Sequence, residues 1–128
     1  MREMKRTIFS LVIILAAITV AGQDSYENIL RAVSLADRGE AEEAAAILGG
    51  MKEVDNDLSL LLLRGNICLK ASMVREAKSD FMKAESLSQG AGLYGLAKCA
   101  AATGDAATAV ALLEAHLKSS LRKSEPEI

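Results

Sequence analysis

The 128-residue sequence has no tryptophan, two phenylalanines and two tyrosines, so its core must be built without large aromatic rings. Proline occurs once, at Pro126, which leaves a long uninterrupted stretch that suits helices and speaks against a turn-rich sandwich or barrel. A single histidine, His116, rules out a conventional histidine-based metal site, and it reads as a partly exposed helix residue. There is no glycine-rich phosphate loop, nucleophile elbow or zinc-ligand spacing. Pairs such as Glu42-Glu43 have basic neighbours and read as solvated helix faces. The composition therefore supplies no catalytic constellation and implies no cofactor, and the chain is expected not to be an enzyme.

Apolar residues make up 51% of the chain, and with aromatics so scarce they are mainly Ala, Leu, Ile, Val and Met. Most of these are good helix formers, and alanine lets helices approach closely. The net charge of −2 hides an asymmetry. Arg2, Lys5 and Arg6 outweigh Glu3 in residues 1–22, so the remainder is more acidic than the whole. An acidic body argues against a nucleic-acid partner, whose phosphates need a basic track.

A positive start, an apolar run from Thr7 to Ala21 and small residues at Val20-Ala21-Gly22 follow the order of a secretory signal peptide. The apolar run falls short of the roughly 20 residues a membrane span needs. Residues 1–22 are thus expected to be a cleaved signal peptide. If uncleaved, this segment is the only membrane contact expected. Residues 23–128 are then expected outside the cytoplasm, in a bacterial periplasm.

Past Gln23 the chain divides into six helical pieces. Asp24 with Glu27 resembles a capping box and predicts a first helix to about Arg38, ended by Gly39. A second, from about Glu40, carries Ala41, Ala44, Ala45 and Leu48 on one face and stops at Gly49-Gly50. Residues 51–57 read as a polar connection. Asn56 or Asp57 caps a third helix, Leu58 to Lys70, which is apolar nearly all round. Ser72 is expected to cap the fourth helix, with Ala77, Phe81 and Ala84 on one stripe. Residues 86–92 break the chain. The fifth helix covers about Leu93 to Thr103, and Gly104-Asp105 turns into a sixth expected to bury Ala109, Leu113 and Leu117.

Ala44, Ala77 and Ala109 lie 33 and 32 residues apart, each followed four residues later by a larger apolar side chain: Leu48, Phe81 and Leu113. A two-helix period of about 34 residues resembles the tetratricopeptide repeat. Leu61, Gly65, Ala77, Phe81 and Ala84 give the closest match. Leu96, Ala97, Gly104, Asp105, Ala109 and Leu113 resemble the same pattern. Ala32, Gly39, Ala44 and Leu48 do so less fully, with Asn28 where a bulky residue is usual, and no unit ends in the family's proline. The resemblance implies an all-α fold of three stacked antiparallel helical hairpins in a superhelical solenoid, in units of about 25–51, 57–89 and 91–121.

The resemblance further implies a concave side lined by the first helix of each hairpin. On it Tyr26, Asn66, Lys70, Tyr94 and Lys98 are the candidate partner-binding residues, with Ile29, Val33, Leu62 and Leu69 as apolar neighbours that are equally suited to the core. The family's chaperone-tail receptors use a clamp of basic and polar groups. Here only Asn66 and Lys98 look similar, while Ala91 and Gly95 depart from it, so that role is not expected. The expected function is a non-enzymatic exported scaffold that binds a peptide or partner helix in the groove or at its C-terminal edge, where self-association through the last helix is one form. The alternative is an accessory docking domain of a larger envelope complex, or the front portion of a longer exported enzyme. Cys68 and Cys99 fall near matching places in adjacent units. They are offset by one residue, which turns them about 100° apart on their helices. Two free buried thiols are favoured, and a disulfide is the alternative.

Overall fold

A computed structural model describes residues 25–124, with side chains through residue 121. The proposed signal segment, the Asp24 cap and the extreme C-terminus lie outside the described residues. Among the described residues the chain is all helical: α1 (Ser25–Asp37), α2 (Ala41–Gly49), a 3-10 segment (Lys52–Asn56), α3 (Leu58–Lys70), α4 (Val74–Leu87), α5 (Leu93–Ala102) and α6 (Ala106–Ser124). None of these helices is long and apolar enough to cross a membrane. Each helix packs against its neighbours in sequence, and α3 also meets α5.

Three turns share one hydrogen-bond pattern. After α1, Gly39 N–H donates to Ala36 O at 3.1 Å and Glu40 N–H to Leu35 O at 2.8 Å. After α3, Ser72 and Met73 donate in the same way to Leu69 and Cys68, and after α5, Gly104 and Asp105 to Ala101 and Ala100. These are Schellman closures, which place one residue in the left-handed region. Gly39 and Gly104 take it with φ of 84° and 82°, and Ser72 takes it with φ of 61°. The expectation that Ser72 caps α4 is therefore corrected. Ser72 ends α3, and Met73 stands at the α4 N-cap without a side-chain bond. Two of the aspartates in the connections do cap. Asp57 accepts from Leu60 N–H at 3.0 Å, and Asp105 from Thr108 N–H at 3.1 Å.

The core follows the alanine repeat. Ala44 and Ala77 are fully buried and Ala109 nearly so. Phe81 sits between two glycines: a Cβ added to Gly65 would lie 2.7 Å from its ring, and one added to Gly95 2.2 Å. Glycine is thus required on both α3 and α5 because the one core phenylalanine of α4 occupies the side-chain space. Glu85 secures the following turn, accepting from Gly90 and Gly92 N–H at 2.7 and 2.8 Å. The connection at residues 51–57 is more than polar filler, since its 3-10 turn buries Val54 beside Met51.

Two expectations for α6 are corrected. Leu48 and Phe81 are 0% and 1% exposed, whereas Leu113 is 39% exposed and Leu117 61%. Helical periodicity places both on the apolar face of α6. Burial also needs a neighbour over that face, and among the described residues no helix follows α6 to cover it as α3 covers α2 and α5 covers α4.

Candidate functional site

The candidate site is assembled from α3, α5 and α6. Asn66 lies in the penultimate turn of α3, and Tyr94 and Lys98 lie one helical turn apart on α5, so their side chains share a face. Lys98 Nζ donates to Asn66 Oδ1, which ties α5 to α3. The same ammonium stands 4.8 Å from the centroid of the Tyr94 ring and 6.0 Å from that of Phe81. The negative faces of aromatic rings attract a cation at such distances. Tyr94 in turn meets the His116 ring of α6, with centroids 5.5 Å apart and planes tilted by 36°.

The cluster offers a ligand several kinds of contact. Lys98 carries three donors, of which Asn66 takes one, and it makes no ion pair among the described residues. Asn66 keeps its amide donors for a backbone carbonyl, and Tyr94 is half exposed. The arrangement suits recognition by hydrogen bonding, charge and ring contact.

The other two predicted residues stand apart. Tyr26, on the first turn of α1, is exposed. Lys70 ends α3 and lines a different cleft of about 350 Å³ with Glu40, Glu42 and Glu43 at the turns. Of the apolar neighbours, Ile29, Leu62 and Leu69 pack against the core, and Val33 is half-buried. Cys68 and Cys99 are buried free thiols and are not bridged. Burial pushes Cys68 up to about 11 and Cys99 in the same direction, so both are poor nucleophiles.

A second polar cluster escaped the sequence reading. Arg64 is buried on α3 and forms a two-point bond with Asp80 of α4: Nε to Oδ2 at 2.9 Å and Nη2 to Oδ1 at 2.8 Å. Nη2 also reaches Asp55 at 2.8 Å, and Nη1 donates to Leu48 O at 3.4 Å. Hydrogen bonding to Asp80 raises the Arg64 pKa further, and hydrogen bonding to Arg64, with help from Lys83, lowers that of Asp55. The one guanidinium therefore links α2, the 3-10 segment, α3 and α4. The hint in the sequence is a charged residue, Arg64, in the middle of a mostly apolar helix, Leu58–Lys70.

No family model matches the chain, and no curated protein is similar enough to count as a relative.

Proposed function

We propose that this chain is a non-enzymatic protein-binding module that works outside the cytoplasm, built as a short tetratricopeptide-like stack of three helical hairpins. The stacked-hairpin reading is supported by the recurrence of one closure at Gly39, Ser72 and Gly104, at the same 33- and 32-residue intervals as Ala44, Ala77 and Ala109. The exported location rests on the sequence of residues 1–22. Partner binding is carried by one observation above all: Asn66, Tyr94 and Lys98 form a connected polar and aromatic cluster across α3 and α5. Core packing needs neither the ammonium nor the phenol. In this reading a peptide or partner helix lies along the face of α3 and α5. Lys98 engages its carbonyl or carboxylate oxygens, the Asn66 amide donates to a backbone carbonyl, and Tyr94 meets an apolar side chain.

The test is capture from envelope extract with the wild-type chain and with Asn66→Ala/Lys98→Glu, both checked for unchanged helical content. One stoichiometric partner held by the wild type and lost by the double variant is expected. A partner held equally by both moves the binding site away from this cluster. Turnover of a substrate by the isolated chain defeats the non-enzymatic reading.

A further inference from the structure

The two ends of the helical array are complementary, and the relation between them can be read from the repeat. Advancing Leu30 by the repeat intervals gives Leu63 and then Gly95. Leu63 packs on the core, and Gly95 receives Phe81 of the preceding helix, so this position on α3 and α5 faces the hairpin before it. Leu30 holds the same position on α1 and is 51% exposed. At the other end, Leu113 is the counterpart of Leu48 and Phe81, which the following helix covers. Leu113 is 39% exposed, and Val110 and Leu117 extend it into a stripe at helical spacing. The first end thus exposes the face that elsewhere packs backwards, and the last end exposes the face that elsewhere packs forwards.

We infer that a second copy of this chain stacks head to tail, with α6 of one copy against α1 of the next, repeating between molecules the contact that α2 makes with α3 and α4 with α5. The contact joins two different patches, so it propagates until the concentration or a cap stops it. This inference rests on the stacked-hairpin reading and is independent of the groove.

The test is the mass of the purified protein, in the form the cell produces it, followed by sedimentation and light scattering over a hundredfold range of concentration. The expected wild-type mass rises with concentration beyond that of a dimer. Leu30→Glu blocks one end and Leu117→Glu the other, and each alone is expected to stay monomeric. An equimolar mixture of the two retains one good head and one good tail, so it is expected to stop at a dimer. Leu30→Gln and Leu117→Gln serve if either glutamate variant loses helicity.

A wild type that is monomeric throughout overturns the inference. So does a dimer that persists in the Leu30 variant, which signals symmetric pairing through α6. So does association unaffected by either change, which places the contact elsewhere. Asn66→Ala/Lys98→Glu is expected to leave the mass series unchanged, so loss of groove binding and loss of stacking are read separately. If the hairpins themselves do not stack as described, the packing of Phe81 against Gly95 fails its own stability test.

Discussion

Replacing Gly95 with alanine sets two physical effects against each other. Considered as a helix residue alone, Gly95→Ala stabilises by up to about 1 kcal/mol, because alanine loses less backbone entropy. Packing predicts the opposite sign. The new methyl would lie 2.2 Å from Phe81 Cδ1 and 2.4 Å from Cγ. Carbon atoms rest comfortably at about 3.5 Å, so the gap must open by more than an ångström. The ring cannot yield that distance, because Gly65 closes its other side. Overpacking of this kind costs about 1–3 kcal/mol, and a ring hemmed in on both sides belongs at the upper end. The expected net loss is about 2 kcal/mol, or roughly 8–16 °C in Tm for a domain of this size. Urea and thermal unfolding followed by circular dichroism measure it. A second variant isolates the cause. On a Phe81→Leu background the smaller side chain leaves room, and Gly95→Ala is expected to cost less than about 0.5 kcal/mol, a coupling that only contacting residues show. A Gly95→Ala protein as stable as wild type, or more stable, refutes the packing argument.

Ser72→Gly is expected to stabilise by about 0.5–1 kcal/mol, because a serine held at φ 61° carries strain that glycine lacks; an unchanged urea midpoint goes against the closure described. Arg64→Ala leaves the buried Asp80 carboxylate without its two-point partner and is expected to cost about 3–5 kcal/mol, whereas Arg64→Met with Asp80→Leu removes both charges and costs much less by the same unfolding assay. Asp105→Ala is expected to lower the urea midpoint through the lost α6 cap. Asp105 is held below its ordinary 3.8 by the Thr108 hydroxyl and then by the Thr108 N–H. A carboxylate lowered on folding contributes its full stability above that ordinary value and loses it as pH falls through the lower folded one. The gap between wild type and Asp105→Ala should therefore be constant from pH 7 to 5 and narrow below about pH 4, and a gap that widens on acidification contradicts the assignment.

What the sequence made legible was local. Gly39, the Gly104-Asp105 turn and the Asp57 cap depend on a few neighbouring residues, and periodicity alone marked Ala44, Ala77 and Ala109 as inward-facing. Ser72 misled because serine usually caps a helix start and seldom takes positive φ; its place in the repeat, matching Gly39 and Gly104, was the available clue. The Arg64–Asp80–Asp55 cluster was hidden because its partners are 16 and 9 residues away, and no local pattern pairs them. Leu113 and Leu117 show a different gap. A stripe at helical spacing identifies a face that prefers burial, but whether a neighbour covers it is settled by tertiary packing and not by the helix itself. Within the candidate site, the residue types of Asn66, Tyr94 and Lys98 were visible. Their contact with one another, and with His116 on α6, required the packing of three helices.

The central claim is that a partner lies against the face where Asn66, Tyr94 and Lys98 meet. The most direct measurement is site-specific photo-crosslinking in intact cells, with a benzophenone amino acid replacing Tyr94 in one strain and exposed Ser79 on α4 in another. A discrete adduct from position 94 that is absent from position 79, and that disappears when Lys98→Glu is added, is the predicted result. Adducts from position 79 with none from position 94 would contradict the account.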